Sequence, residues 1–382
     1  MTQSKEVKWV KLGEFIVRRR ENNSDLRYGP ELIEGVTSKG EFAPTKAVLD
    51  GINMKPYKVV RKGDFAYNPS RLNIGSLALR TGEMCIVSHL YVVFYVRPES
   101  KIIPEYLLLF FQRKEFLRMV DYYNYGSQRA EFNIHDISEF QIPIPFKDGV
   151  PDVERQQEVV NIWQGLRRLK EENEAIAKPL LDLCDAKMDE LKHSAPMVAL
   201  GPYIEAKDER NSSNSFGLNS VRGLATSKEI IPTKANLDGV SLTSYKVFKP
   251  FEIAYVPDTS RRGDKVSLAH NQSEEEYLLS SISTVFSSKD TDKLDPTFIY
   301  LWFCRPEFDR YARFNSWGSA RETFPWSEMC RMKVPKPSIE IQRAIVDIYH
   351  CARRAKAIAE EANQQLKSIC PALMQHIIHS AK

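Results

Sequence analysis

The chain has 382 residues, of which 42% are hydrophobic and 27% are charged, and its formal net charge is +4. These ordinary globular values exclude a chain that is disordered throughout, and the length predicts two to three domains with cores of their own. A net charge this close to zero neither requires nor excludes an acidic partner, so the distribution of charge along the chain carries more information.

The amino terminus and the cysteines bear on the cellular compartment. The first ten residues contain no apolar stretch long enough for a signal peptide, and no run approaches the roughly eighteen apolar residues of a membrane span. The six cysteines lie far apart without a CxxC pair, which favours neither a zinc site nor a disulfide framework. We expect a soluble, cytoplasmic protein without a metal site and without a membrane partner.

Residues 1–150 are predicted to form a mixed α/β domain. A strand-like run at residues 86–96, IVSHLYVVFYV, precedes a helix-like run at 104–120, PEYLLLFFQRKEFLRMV. Tyr67 alternates with apolar neighbours, as does Tyr255 later in the chain, and both are expected to be half-buried strand residues.

Residues 151–193 are predicted to form one long helix, with Gly165 as its single glycine. Apolar or core-type positions follow each other at alternating spacings of four and three, at Ile162, Leu166, Leu169, Asn173, Ile176, Leu180 and Leu183. Pro179 is expected to kink this helix or to mark the start of a second segment.

The remaining residues repeat the first two segments, with a second domain at 194–337 and a second helix at 338–382. Residues 35–69 align with residues 223–257 without a gap, and 15 of these 35 positions are identical. The sequence is therefore a tandem duplication.

The second helix has its own seam of core-type residues, in which small side chains dominate. They are Ile348, Cys351 or Ala352, Ala355, Ala359, Ala362, Leu366, Ile369, Leu373 and Ile377. A heptad pattern held for about four heptads predicts two long helices that pair with each other. The alternative is two separate amphipathic helices, each packed on its own domain.

One short pattern, aromatic-Gly-Ser-x-Arg-x-x-Phe, occurs twice and is called the repeated phrase below. It reads YGSQRAEF at residues 125–132 and WGSARETF at residues 317–324. Glycine permits close backbone approach, serine can bond a phosphate oxygen, and arginine can bind a phosphate or read guanine. Alternatively, each arginine pairs with a carboxylate of its own domain. The final phenylalanines, Phe132 and Phe324, are expected in the core.

Shared basic residues in loops predict a nucleic-acid interface. Residues 1–150 carry 22 Lys and Arg against 18 Asp and Glu, whereas residues 151–193 carry 7 against 10. The candidate DNA-binding residues in the repeated phrases and in two further pairs of loops are Lys46, Arg71, Ser127, Arg129, Lys234, Arg261, Arg262, Ser319 and Arg321. No phosphate loop, zinc-protease motif, nucleophile elbow or methyltransferase motif is present in the sequence, so we predict a binding protein without catalytic residues.

The order domain, helix, domain, helix resembles the specificity subunit of type I restriction-modification systems. The resemblance also covers the starts at LGEFI and LGPYI, the repeated phrases, and the exits from IPIP and VPKP into helices that begin ERQQEVV and EIQRAIV. It extends over essentially the whole chain.

The resemblance implies two tandem α/β target recognition domains, each reading one half of a bipartite, asymmetric sequence in double-stranded DNA. It also implies that the two helices form an antiparallel coiled coil with internal pseudo-two-fold symmetry. Two methyltransferase subunits and restriction subunits are the implied partners, and they would carry S-adenosylmethionine, Mg²⁺ and ATP, with no cofactor in this chain.

Two other classes of function stay open at this point. A self-contained restriction-methylation enzyme would need catalytic motifs that the sequence lacks. A duplicated protein-recognition or scaffold module would need no basic loops.

Overall fold

The computed structural model describes residues 5–45, 51–124, 132–259, 265–319 and 321–379. The chain divides into two compact units: unit 1 consists of residues 1–172 and 358–382, and unit 2 of residues 173–357. Each unit therefore holds one globular part and a portion of both long helices. The segment boundaries expected after residues 150, 193 and 337 stay a prediction.

Unit 1 is built on short antiparallel strands. They are β1 (Lys5–Lys11), β2 (Ile16–Arg18), β3 (Glu34–Val36), β4 (Phe42–Pro44), β5 (Lys58–Val60), β6 (Asp64–Tyr67), β7 (Leu77–Leu79), β8 (Cys85–Val87), β9 (Val92–Val96), β10 (Gln141–Lys147) and β11 (Val150–Pro151). The central sheet has the order β2-β9-β6-β7, and smaller sheets pair β1-β10-β11, β3-β4 and β5-β8.

Aromatic and β-branched side chains hold the central sheet together. Phe65 on β6 lies opposite Phe94 on β9, and their rings stack with centroids 4.9 Å apart. Cross-strand aromatic pairs of this kind stabilise a sheet beyond their buried area. Phe111 meets both rings edge-on from the helical layer, which joins helix and sheet in one core.

The helices of unit 1 cover this sheet. They are α1 (Pro104–Phe111), α2 (Lys114–Asn124), α3 (Ile134–Ser138) and the amino-terminal part of α4 (Val153–Ser194). The predicted helix over residues 104–120 is thus two helices, broken at Gln112 and Arg113. The predicted strand over residues 86–96 is also two elements, because a turn closed by the Tyr91 N–H and the Ser88 carbonyl separates β8 from β9.

Unit 2 repeats this architecture. Its strands are β12 (Met197–Ala199), β13 (Ile204–Lys207), β14 (Arg222–Leu224), β15 (Ile230–Pro232), β16 (Lys246–Phe248), β17 (Ile253–Tyr255), β18 (Leu268–His270), β19 (Tyr277–Leu279), β20 (Thr284–Ser288) and β21 (Lys333–Pro335). Its helices are α5 (Pro296–Phe303), α6 (Pro306–Phe314), α7 (Trp326–Arg331), the carboxyl-terminal part of α4 and the first part of α8 (Ile339–His379). The central order β13-β20-β17-β18 matches that of unit 1, which confirms a duplicated, mixed α/β fold.

One turn shows how the two copies have diverged. Gly40 and Lys228 occupy the same turn position with φ of 73° and 67°. A Cβ on Gly40 would lie 2.9 Å from the Leu77 carbonyl oxygen. In unit 2 the buried Lys228 Nζ donates to Asp309 Oδ1 at 2.5 Å and to the Val266 carbonyl at 2.8 Å. Burial lowers the pKa of Lys228, and the neighbouring Asp309 carboxylate opposes that effect.

The two long helices pack against each other within each unit. In unit 1, Trp163 of α4 shares a core with Leu373 of α8, and in unit 2, Met188 of α4 shares a core with Ile345 of α8. Early α4 therefore meets late α8, and late α4 meets early α8. This antiparallel pairing confirms the predicted coiled coil and replaces the alternative of two separate helices.

The predicted seam is correct for α8 where its side chains are described, which excludes Ile377, and wrong by one position for part of α4. Four alanines of α8 are buried as expected: Ala352, Ala355, Ala359 and Ala362. Four of the α4 positions expected in the seam are instead 41–51% exposed: Ile162, Leu169, Ile176 and Leu183. The buried positions are the next residues along the chain in three of these heptads: Trp163, Ala177 and Cys184.

The helix α4 continues without interruption through Pro179. Pro179 does not start a second segment, so that alternative is wrong. No helix in the described part of the chain is long and apolar enough to cross a membrane.

The corrected seam predicts different costs for two adjacent substitutions. Trp163→Ala should lower the free energy of unfolding by about 3–5 kcal/mol, because Trp163 is only 6% exposed and its loss leaves a cavity. Ile162→Ala should cost less than about 1 kcal/mol, since that side chain is 48% exposed. Denaturant titration of the full chain measures the free energy of unfolding of both variants. A larger loss for Ile162→Ala than for Trp163→Ala would support the seam predicted from sequence.

Candidate nucleic-acid interface

The second repeated phrase forms a closed loop at the end of α6. The Trp317 N–H donates to the Thr323 carbonyl at 3.3 Å, and the Thr323 N–H donates back at 3.1 Å. Within the loop Gly318 has φ of 145°, and a Cβ there would lie 2.1 Å from the Arg321 carbonyl oxygen. Glycine is therefore required at this position by both conformation and space.

The phrase is tied to the segment that leaves β17. The Phe324 N–H donates to the Pro257 carbonyl at 2.8 Å, and the Thr259 N–H donates to the Glu322 carbonyl at 3.0 Å. Phe324 itself is fully buried. The loop carrying Arg321 is consequently held beside Pro257 and Thr259.

Unit 1 has the same anchor. The Phe132 N–H donates to the Pro69 carbonyl at 3.2 Å, and Phe132 is only 2% exposed. Pro69 begins a 3-10 turn, Pro69–Ile74, which is capped by the Asn68 side chain accepting the Ser70 N–H at 3.1 Å. This turn presents Arg71 on the surface. Both phenylalanines are core residues, as predicted.

A tyrosine lies beneath each anchor. Tyr67 and Tyr255 are fully buried on β6 and β17, so their predicted half-burial is wrong. The Tyr255 hydroxyl donates to the Phe324 carbonyl at 3.3 Å, whereas the Tyr67 hydroxyl has no partner among the residues that the structure describes. Burial raises the pKa of both phenols, which keeps them neutral.

The structure locates four of the nine candidate residues. Arg71, Lys234, Ser319 and Arg321 are all exposed, and Arg321 forms no ion pair with any described residue. Lys46, Ser127, Arg129, Arg261 and Arg262 lie outside the described residues.

These candidates fall on separate loops. Ser319 and Arg321 share the loop tied to Thr259, the last described residue before Arg261 and Arg262 in the chain. Lys234 follows β15, and no described hydrogen bond or ion pair links it to that loop.

Sequence reasoning missed Glu322. Its carbonyl accepts from Thr259, and its carboxylate pairs with Arg313 at the end of α6. These bonds connect the phrase to two distant parts of the chain, so no local pattern in the sequence marks them.

The duplicated α/β scaffold exposes the candidate residue Arg71 in unit 1 and the candidates Lys234, Ser319 and Arg321 in unit 2. The described residues contain no cluster that could hold a metal ion. Residues 5–179 match the family described as type I restriction modification DNA specificity domain. Residues 5–179 therefore carry a domain similar to that family, and unit 2 repeats the strand order of unit 1.

Solved structures agree on the fold. The crystal structure of a type I restriction-modification S subunit from M. genitalium is similar with a TM-score of 0.60 and 13% identity, covering 97% of this chain and 96% of that one.

Two further structures are less similar. A chain from a study of type I system assembly and conformational transition has a TM-score of 0.43 and 15% identity, covering 99% of this chain and 98% of that one. The HsdS subunit from Thermoanaerobacter tengcongensis has a TM-score of 0.42 and 15% identity, covering 99% and 97%. No curated protein sequence matches the chain.

The geometry of Gly318 predicts a position-specific effect of alanine. Gly318→Ala should lower the free energy of unfolding by about 1–3 kcal/mol, because the residue is held outside the conformations that side chains favour. Gly217→Ala is the matched control, since its backbone is extended and a Cβ there meets nothing within 4 Å. If denaturant titrations give Gly318→Ala and Gly217→Ala the same free energy of unfolding, the loop at Gly318 is not strained.

Proposed function

We propose that this chain is the DNA-reading subunit of a type I restriction-modification complex, in which each unit reads one half of a bipartite, asymmetric target. The observation that carries the proposal is the hydrogen bond from a phenylalanine N–H to a proline carbonyl, which occurs in both units. An exposed arginine lies close in sequence to each bond, Arg71 in unit 1 and Arg321 in unit 2. A fixed scaffold with differing loops suits the reading of two different half-sites.

Charge supports duplex DNA as the ligand. The excess of Lys and Arg lies in residues 1–150, while the helix at 151–193 carries an excess of Asp and Glu. Only the globular parts are then expected to face a polyanion. Arg321 is exposed and lacks a carboxylate partner among the described residues, so it does not support the alternative of a salt bridge within its domain.

The chemistry belongs to the partners in this proposal. Two methyltransferase subunits would bring S-adenosylmethionine and methylate adenine N6, and restriction subunits would use ATP and Mg²⁺. We propose that the paired helices α4 and α8 set the separation of the half-sites and bind the methyltransferase subunits. A protein-recognition or scaffold module remains the second candidate, and DNA binding without salt dependence or without sequence preference would favour it.

Removing one arginine tests the interface. In the assembled complex, Arg321→Ala should weaken DNA binding by about 1–3 kcal/mol, and Arg129→Ala should do the same. An arginine that reads a base relaxes only its own half-site, whereas one that binds a phosphate weakens binding to every sequence. Filter binding at several salt concentrations, combined with methylome sequencing, separates the two.

Arg331→Ala is the control for charge, because Arg331 is 73% exposed in unit 2 but is paired with Glu328. A loss of affinity in Arg331→Ala equal to that in Arg321→Ala would indicate a general effect of net charge. If Arg321→Ala instead unfolds while its folded fraction binds normally, the arginine has a structural role.

Exchange of one domain tests whether each unit recognises its own half of the DNA target. Replacing residues 194–337 with the corresponding domain of a relative should change one half-site of the methylated sequence and leave the other intact, because each unit carries its own loops. Methylome sequencing of cells that carry the chimera gives the result. The proposal that each unit recognises one half-site is wrong if a chimera that folds and assembles changes both half-sites. It is also wrong if the chimera methylates a short continuous palindrome.

A further inference from the structure

The helix before each repeated phrase ends in an unusually exposed aromatic side chain. Tyr122 near the end of α2 is 79% exposed, and Phe314 at the end of α6 is 86% exposed. They have the highest exposures among the large hydrophobic side chains in the described part of the chain. The two residues are 192 positions apart, the same offset that relates the two phrases, so they are equivalent in the duplication.

An arginine precedes each aromatic residue by one helical turn. Arg118 and Arg310 are again 192 positions apart, and each lies four residues before its aromatic neighbour, on the same side of the helix. Both arginines are exposed, and neither forms an ion pair with a residue that the structure describes. Tyr122 with Arg118, and Phe314 with Arg310, are called the arginine–aromatic pairs below.

The fold does not need these side chains. The opposite face of α2 buries Phe116 and Val120, and that of α6 buries Phe308 and Ala312, each at most 1% exposed. Surface positions normally contribute little to stability. A large apolar ring beside an arginine without an ion-pair partner among the described residues, present at the same place in both copies, requires a different explanation.

Each pair adjoins the candidate interface of its own unit. In unit 2, Arg313 of α6 pairs with Glu322 of the repeated phrase. In unit 1, α2 packs against the Pro69–Ile74 turn that carries Arg71. Each pair therefore lies on a helix that contacts or is paired with a candidate DNA-binding loop of its own unit.

We infer that the arginine–aromatic pairs contact duplex DNA, with the guanidinium on a backbone phosphate and the ring packed against the sugars and base edges of the neighbouring step. This inference rests on the proposed function. Phosphate contacts fix the register of a protein on the duplex, and apolar side chains that enter a groove pack against base steps and deform them. Because one copy has tyrosine and the other phenylalanine, the ring itself makes the contact and the hydroxyl is not needed.

Charge favours DNA over a protein partner as the occupant. Each ring lies beside one arginine without an ion-pair partner among the described residues, on a helix that contacts or is paired with a candidate DNA-binding loop, where cations meet backbone phosphates. In duplex DNA, a phosphate pairs with the arginine guanidinium, and the neighbouring sugars and base edges offer the aromatic ring an apolar contact.

Single substitutions in the complex assembled with its methyltransferase subunits test this inference. Tyr122→Ala and Phe314→Ala should each weaken binding to a duplex carrying the methylated sequence by about 5- to 150-fold, without changing the slope of log affinity against log salt. Arg118→Gln and Arg310→Gln should each reduce that slope by about 1, on a duplex of unrelated sequence as well.

Leu90→Ala and Ile282→Ala are matched controls. These residues are also 192 positions apart and are 63% and 62% exposed, but they lie in the turns before β9 and β20. They should bind as wild type does. Melting temperatures of all six variants are expected to equal that of wild type, so a loss of binding cannot come from unfolding.

Three results would overturn the inference. The first is wild-type affinity and salt slope in all four test variants. The second is an equal loss in the Leu90 and Ile282 controls. The third is weaker assembly with the methyltransferase, measured as subunit stoichiometry by size-exclusion chromatography, with unchanged DNA binding by the complex that does assemble. Failure of the wild-type complex to bind any duplex in a salt-dependent way would instead count against the proposed function itself.

Discussion

The hydrogen bond from the phenylalanine that ends each repeated phrase to a proline carbonyl organises the candidate interface in both units. Its two segments are far apart in sequence: Pro69 pairs with Phe132, and Pro257 pairs with Phe324. The bond lies over a fully buried ring, so water cannot compete for it, and leaving either group unpaired there would cost free energy. The anchored phenylalanines Phe132 and Phe324 belong to the core, whereas Arg71 and Arg321 are exposed beside them.

This division explains how one fold carries two different sets of loops. Below the anchor, the copies keep the same strand order, the same buried tyrosine position and the same helical cover. Above it, the phrases read QRAE and ARET at equivalent positions, and the exit segments differ in length and sequence. Because loops on the surface have few buried contacts, their residues can change without a large effect on stability.

The sequence alone predicted the duplication, the α/β class and the pairing of the two long helices, because each leaves a long periodic or repeated signal. The antiparallel direction of that pair was implied only by the family resemblance. The seam of α4 was harder to predict. The heptad row Ile162, Leu169, Ile176 and Leu183 is more apolar than the row beside it, but the structure buries Trp163, Ala177 and Cys184. Periodicity finds the helix, whereas the choice between adjacent rows depends on the shape of the partner helix, which a single sequence does not display.

In the candidate site, too, the sequence predicted local features but not those that depend on tertiary contacts. The repeated phrase is visible because it is local and occurs twice, and the burial of Phe132 and Phe324 followed from their type. The bonds of Glu322 and the exposure of Phe314 depend on tertiary contacts, so the sequence gives no direct sign of them.

The ion pair between Lys228 and Asp309 has a consequence for the history of the duplication. Unit 1 has Gly40 and Leu117 at the equivalent positions and needs no charge there, whereas in unit 2 the Asp309 carboxylate also accepts the Val266 N–H at 2.9 Å. A gene conversion that carried glycine into position 228 without also replacing α6 would leave a buried carboxylate without its cation, which is strongly destabilising. Transfer of this turn alone from unit 1 into unit 2 is therefore expected to destabilise unit 2, whereas a transfer that replaces both Lys228 and Asp309 removes the cation and the carboxylate together.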